Sequence, residues 1–246
     1  MDKSIEMKII TVENYEEMSE IAAKIIGDEV RSNPYATLGL ATGSTVLGVY
    51  ARLRQMRANG EISFKNIKTV NLDEYVGLNS DNEQSYAYYM CNNLFDYIDI
   101  DLCNTFIPCG KAQDLNDECD GYNSLLDIIP RDLQLLGLGS DGHIAFNEPG
   151  SPFDSRTRVV QLEASTIKDN SRLFARQEDV PKSAITVGIA DIMSAKQVLL
   201  LASGVNKAQA VKAMIQGEVS VNCPASVLQR HSNVTVIVDK LAASLL

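Results

Sequence analysis

Gln134-Leu135-Leu136-Gly137-Leu138 is an apolar run without alternation, the pattern of a strand buried on both faces of a parallel sheet. It breaks directly into Gly139-Ser140-Asp141-Gly142-His143-Ile144-Ala145-Phe146-Asn147-Glu148-Pro149-Gly150. Glycines permit tight turns and close approach of backbone to a ligand. Ligands in open α/β sheets bind beyond the carboxyl ends of the strands, so a charged loop placed there is a candidate site. Acids in loops are usually solvated, and glycine-rich turns after strands are common. The weight therefore rests on the combination of Asp141, His143 and Glu148. The chain holds 2 histidines, so a step that needs an imidazole near neutral pH falls on His143 or His231.

The rest of the chain repeats strand, turn and helix. Met7 to Ile10 reads as a short strand, and Glu13 to Val30 as a helix with apolar residues at helical spacing. Ala36 to Ala41 is an apolar strand that runs into Thr42-Gly43-Ser44-Thr45, and a helix continues from Val46 to Met56. Strand, small hydroxyl-bearing turn and helix make a phosphate cradle: free N–H groups point outward, the helix dipole favours an anion, and the hydroxyls add donors. No lysine follows the glycine at the spacing of a Walker motif. The plainer alternative is that Ser44 or Thr45 only caps the helix.

Ile67 to Leu72 is the next strand, with Asp73-Glu74-Tyr75 at its carboxyl end. Solvated acids capping a turn are the plain reading; Asp73, nearest to the strand, is the better candidate for a positioned base. Ser85 to Phe95 and Leu115 to Ile129 read as helices, and Asn104 to Pro108 as an extended piece. Tyr75, Tyr86, Tyr88 and Tyr89 read as packing groups. Ser151 to Pro181 is irregular and polar, carries Arg156, Arg158, Arg172 and Arg176, and is long enough for a lid. Ala184 to Ile189 and Gln197 to Ala202 are further strands. Ser203 to Lys207 leads into a helix, with Lys207 placed to reach an anion above the sheet. Pro224 to Gln229 reads as a short helix, Asn233 to Val238 as the last strand, and His231 between them as structural. This alternation predicts an α/β fold with a mainly parallel sheet flanked by helices, Rossmann-like, in a single domain over residues 1–246.

Composition narrows the partners. Against 32 Asp+Glu stand 22 Lys+Arg, a net charge of −10, which argues against nucleic acid or an anionic membrane surface. A small anionic ligand remains compatible, because helix termini and one or two basic side chains suffice to hold it. No stretch is long and apolar enough to span a bilayer, and the first residues lack the basic start and apolar core of a leader; a cytoplasmic protein is expected. Cys91, Cys103, Cys109, Cys119 and Cys223 are odd in number with no Cys-x-x-Cys spacing. They read as reduced thiols, with no disulfide framework and no metal site.

Taken together these stretches resemble the glucosamine-6-phosphate deaminase family. The resemblance is carried by Leu38 to Thr45, by Val70 to Leu78, and above all by Gly139 to Pro149. Ser155 to Arg158, Asn170 to Arg172 and Ser203 to Lys207 also match, in the family's order along essentially the whole chain. The resemblance implies a cofactor-free reaction in which α-D-glucosamine 6-phosphate and water give D-fructose 6-phosphate and ammonia. It implies that His143 moves the proton that opens the pyranose ring, with Asp141 and Glu148 in support. It casts Asp73 as the base that takes the C2 proton and returns one to C1. The phosphate is then expected on Thr42, Gly43, Ser44 and Thr45, with Arg172 and Lys207 as cationic partners, and residues 151–182 as a lid.

Two departures stand out. Position 44 is Ser where the hexameric, activated members carry glycine, a mild change that adds a donor; the second bears on regulation. Position 160 is Val where they carry a lysine that helps bind the activator, and the chain stops at Leu246, short of their C-terminal extension. These differences lead to the expectation of a monomer or small homo-oligomer without activation by N-acetylglucosamine 6-phosphate. The nearest rival is 6-phosphogluconolactonase, which shares the Gly-x-Asp-Gly-His turn; Phe146-Asn147-Glu148-Pro149 and Asp73-Glu74-Tyr75 favour the deaminase. A sugar-phosphate-sensing module is the other alternative, and residues 1–35 leave no room for the helix-turn-helix it would bring.

Overall fold

The computed structural model describes residues 7–163, 167, 171, 174, 176 and 179–246. Arg172, one of the expected phosphate partners, lies outside the described residues, as does Asn170.

Seven strands form one parallel sheet. They are β1 (Lys8–Val12), β2 (Thr37–Leu40), β3 (Lys68–Asn71), β5 (Thr105–Phe106), β6 (Leu133–Gly137), β9 (Val198–Ala202) and β10 (Val234–Asp239). Their order across the sheet is β1-β10-β9-β6-β2-β3-β5. The central strands are apolar on both faces because both are covered. Every residue of β2, β9 and β10 is buried.

Among the described residues the α-helices are α1 (Tyr15–Ser32), α2 (Leu47–Ala58), α3 (Tyr86–Asn93), α4 (Leu115–Ile128), α5 (Ile189–Met193) and α6 (Ala208–Gln216). Helix α1 begins where Asn14 accepts the Glu17 N–H at 3.0 Å. It buries Met18, Ala22, Ile26 and Val30, a stripe four residues apart, and packs against α2, β9 and β10. Asp114 caps α4 in the same way, through the N–H groups of Asn116 and Asp117.

A second sheet was not expected. β4 (Asp73–Tyr75), β7 (Arg158–Gln161) and β8 (Ser183–Thr186) pair antiparallel in the order β4-β8-β7. Asp73 is therefore no loop residue. It is the first residue of β4, paired with Thr186. The stretch expected to be irregular throughout contains β7, whose Val159 and Val160 pair with Ile185 and Ala184. Tyr75, Phe146, Leu162 and Ala184 form a separate apolar cluster around this sheet. Pro224–Arg230 is a 3₁₀ helix, and His231 is structural as expected: it is buried, with Nε2 2.8 Å from the Ala195 carbonyl.

Strand order fixes where a ligand binds. The chain runs from β2 outward through β3 to β5, and from β6 the other way through β9 to β10. The carboxyl ends of β2 and β6 thus flank the topological switch point, where loops diverge and leave a crevice.

Candidate active site

A cavity of about 520 Å³ occupies that crevice. Its walls come from the ends of four adjacent strands: Thr42–Thr45 after β2, Asp73 after β3, Gly139 and His143 after β6, and Lys207 after β9. Residues 130 or more apart in sequence meet there because parallel strands end at one edge.

The β2 turn is open to an anion. Gly43 has φ of 101°, a conformation that L-residues rarely adopt, and a Cβ on it would meet nothing within 4 Å. Gly43 is among the residues that line the cavity. A 3₁₀ turn, Ser44–Val46, follows and leads into α2. Neither Ser44 nor Thr45 supplies a capping hydrogen bond, so the plainer alternative for these hydroxyls is not realised.

Asp73 is buried, with 6% of its surface exposed. Burial raises its pKa to about 8, and the neighbouring Glu74 charge adds to the shift. Glu74 is buried beside it and accepts three backbone N–H groups: Tyr75 at 2.8 Å, Tyr86 at 3.0 Å and Ala87 at 2.9 Å. Two of those donors open α3, so Glu74 pins the start of that helix. Burial still raises the Glu74 carboxyl, against the pull of these hydrogen bonds.

His143 is held by its own loop. Gly139 N–H donates to the His143 carbonyl at 2.9 Å, and Gly142 N–H to the Gly139 carbonyl at 3.1 Å. A Cβ on Gly139 would stand 2.3 Å from His143 Nδ1, so only glycine lets the ring lie here. Nδ1 is 2.7 Å from Asp141 Oδ1. The His143 side chain beside it is the main reason the Asp141 carboxyl is lowered to about 2.

Beyond His143 the backbone turns sharply. Ala145 has φ of 53°, the left-handed region for a residue with a side chain. The turn is over-determined, as such strain requires. Buried Asn147 donates through Nδ2 to the carbonyls of Ile144 and Val187, at 3.0 and 2.9 Å. Thr186 Oγ1 accepts the Phe146 N–H at 3.1 Å. Arg158 of β7 donates to Asn147 Oδ1 at 2.9 Å.

The structure does not put every expected residue on the cavity wall. Thr42–Thr45, Asp73, His143 and Lys207 line it; Asp141 stands behind the imidazole. Glu148 is buried outside the wall and accepts the Glu163 N–H at 3.0 Å. Tyr86 and Tyr89 do line the cavity, although their sequence context reads as packing. Their signal is the three-residue spacing on a helix capped by Ser85, which puts both on one face. Among the described residues no group of three or more His, Cys, Asp or Glu side chains is arranged to hold a metal ion.

Comparison with known proteins adds the lineage. A family model for glucosamine-6-phosphate isomerases and 6-phosphogluconolactonase matches residues 12–237. A glucosamine-6-phosphate deaminase from Clostridium perfringens is 48% identical over 241 residues, covering 98% of this chain and 100% of the relative. One from Bacillus cytotoxicus is 50% identical over 239 residues, covering 97% and 89%. A solved monomeric glucosamine-6-phosphate deaminase superposes with a TM-score of 0.95 at 48% identity, covering 98% of this chain and 100% of that one. The 6-phosphogluconolactonase of Trypanosoma brucei superposes with a TM-score of 0.82 at 22% identity, covering 99% and 100%, a likeness of fold alone.

Proposed function

The chain belongs to the family of glucosamine-6-phosphate isomerases and 6-phosphogluconolactonases, and from that premise we propose that it is a glucosamine-6-phosphate deaminase. The reaction turns α-D-glucosamine 6-phosphate and water into D-fructose 6-phosphate and ammonia. The observation that carries the reading is that a buried carboxylate, an imidazole and a hydroxyl-bearing glycine turn face one cavity. Relatives at 48 to 50% identity bear the deaminase name, while the lactonase likeness stands at 22%.

The chemistry divides among distinct groups. The phosphate seats on Thr42, Gly43, Ser44 and Thr45, with Lys207 beside it and Arg172 as a second cation. A carboxylate beside Nδ1 favours the tautomer that carries its proton there and leaves Nε2 free to accept one. His143 then takes the anomeric hydroxyl proton and returns a proton to the ring oxygen, and the pyranose opens to the aldehyde. Asp73 removes the C2 proton next to that carbonyl, and the electrons flow into the C1 oxygen as the enolamine forms. Return of a proton to C1 gives an imine at C2. Water adds there, ammonia leaves, and the ketose remains. Asp141 and Glu148 support the imidazole and its loop. Proton transfers and water complete the sequence, so no cofactor or metal is required.

The functional unit in this reading is one domain over residues 1–246, with residues 151–182 as its lid, acting as a monomer or small homo-oligomer in the cytoplasm. A monomeric deaminase at a TM-score of 0.95 supports the first state, and five unpaired cysteines suit a reducing compartment. Among the described residues no helix is long and apolar enough to cross a membrane, and no nucleic acid is expected at a net charge of −10. The test is ammonia release from glucosamine 6-phosphate, with fructose 6-phosphate measured alongside. Asp73→Asn should lose about a hundredfold or more of that rate. A wild type that is silent on this sugar and opens 6-phosphogluconolactone would transfer the assignment to the lactonase.

A further inference from the structure

Three tyrosines on three helices converge on the Thr42–Thr45 turn. Tyr50 of α2 donates its hydroxyl to the Ala41 carbonyl. Tyr89 of α3 donates to the Gly43 carbonyl at 2.7 Å. Tyr15, the first residue of α1, donates to the Ser44 carbonyl at 3.0 Å, and its oxygen accepts the Gly48 N–H at 2.8 Å. The rings support each other: Tyr50 is fully buried and meets Tyr89 edge to face, with centroids 6.5 Å apart. Burial pushes the Tyr50 and Tyr89 hydroxyls well up, so both stay protonated donors at working pH.

A trans peptide is planar, with each C=O opposed to the N–H of the next residue. Tyr15 and Tyr50 stand outside the cavity lining, so turning the carbonyls of Ala41 and Ser44 toward their hydroxyls turns the N–H groups of Thr42 and Thr45 the other way. Both residues line the cavity.

A sister turn in the same fold shows the contrast. Ser203–Lys207 after β9 has the same build: Gly204 at φ of 94°, a 3₁₀ turn and then a helix. There Asp239 accepts the Gly204 N–H at 3.0 Å and the Ser203 hydroxyl. That turn already faces an anion of the protein's own. The Thr42–Thr45 turn instead has its Gly43 and Ser44 carbonyls tied by tyrosine hydroxyls and its amides left for a ligand.

We propose that Tyr15 and Tyr50 are positioning residues that preorganise the Thr42–Thr45 turn as a phosphate cradle by holding the Ser44 and Ala41 carbonyls away from the anion. The proposal rests on the reading that the substrate phosphate sits on this turn. An unbraced turn would have to be ordered by the ligand, and a carbonyl rotated toward the cavity would repel a phosphate oxygen.

The test is competitive inhibition by inorganic phosphate, read as Ki, beside KM and kcat for glucosamine 6-phosphate. Tyr15→Phe and Tyr50→Phe each remove one hydroxyl, and neither side chain lines the cavity. Each should raise the phosphate Ki and the substrate KM about threefold to tenfold, the scale of one lost hydrogen bond, with the loss falling on KM rather than kcat. Thermal unfolding is run in parallel. A lower unfolding temperature with an unchanged phosphate Ki would make the tyrosines scaffolding only and overturn the proposal. Tyr15, half-buried at the start of α1, keeps the test available if Tyr50→Phe does not fold. A wild type that releases ammonia and is indifferent to inorganic phosphate would remove both the phosphate seat and this proposal, and leave the deaminase assignment standing.

Discussion

Asp141 Oδ1 lies 2.7 Å from His143 Nδ1 and accepts the His143 backbone N–H at 3.1 Å. A single oxygen thus fixes both the ring and the backbone that carries it. An amide in its place can present its NH₂ to Nδ1 and reverse the tautomer that leaves Nε2 as acceptor. Asp141→Asn should lower kcat about a hundredfold, with KM little changed. Unaltered turnover would mean that the carboxylate does not orient the imidazole.

On the proposed mechanism, the pH dependence is expected to come from Asp73. Its carboxyl must be ionised to take a proton from carbon, and its pKa is raised to about 8. The rate constant kcat/KM should therefore rise with pH through about 8 and level off above it, since that constant reports groups of the free enzyme. A profile that is flat from pH 6 to pH 9 would exclude Asp73 as the titrating base.

The same burial has a cost in stability with a definite sign. In the unfolded chain Asp73 ionises near the ordinary aspartate value of 3.8, whereas in the folded protein it keeps its proton to about 8. Between these values the folded state binds more protons, so this group makes stability fall as pH rises from about 4 to about 8. Asp73→Asn removes that dependence. Its unfolding temperature should match the wild type near pH 4 and exceed it increasingly toward pH 8.5, by an amount worth a few kcal/mol. A gap that stays constant across this range would show that the burial penalty is not felt.

Glu74 is the neighbour that adds charge repulsion to Asp73. Glu74→Gln removes the charge and keeps an oxygen for the N–H groups of Tyr75, Tyr86 or Ala87. The rising limb of the kcat/KM profile should move to lower pH, by less than the shift that burial itself imposes. Glu74→Ala removes the acceptors as well and should destabilise the protein by about 1–3 kcal/mol, because N–H groups at the start of α3 lose their buried partner. If Glu74→Gln leaves the limb in place, the coupling between the two acids is negligible.

The parallel sheet was legible in the sequence because its strands are continuous apolar runs and its helices carry apolar stripes. Asp73, His143, Lys207 and the Thr42–Thr45 turn were legible for a related reason: each comes just after a strand, and parallel strands deliver their succeeding loops to one edge. The small sheet was not legible. β4 has three residues, and its partner Thr186 is more than a hundred positions away, so no local pattern announces the pairing. Arg158-Val159-Val160-Gln161 sits in polar surroundings that mask it. The tyrosine hydroxyls were hidden differently. Ring packing is visible as apolar spacing, but an acceptor such as the Gly43 carbonyl lies 46 positions from Tyr89, and only the fold brings them together.

On the proposed reading, activation by N-acetylglucosamine 6-phosphate is expected to be absent, and Val160 is the residue that bears on it. In the activated members that this chain resembles, a lysine at this place helps hold the activator. Here Val160 packs against the cluster of Tyr75, Phe146, Leu162 and Ala184, where an ammonium would be costly. Arg158, on the same strand, is committed: its guanidinium donates to Asn147 Oδ1 at 2.9 Å and Ser151 Oγ at 3.3 Å. An anionic activator would have to draw Arg158 away from the residue that braces the Ile144–Asn147 turn. A ligand shifts an equilibrium only through differential affinity for two states, and this strand offers no spare cation to supply it. Initial rates against glucosamine 6-phosphate should trace a hyperbola, and N-acetylglucosamine 6-phosphate should leave the curve unmoved. Sigmoidal rates that this sugar renders hyperbolic would show an activator site built from other residues.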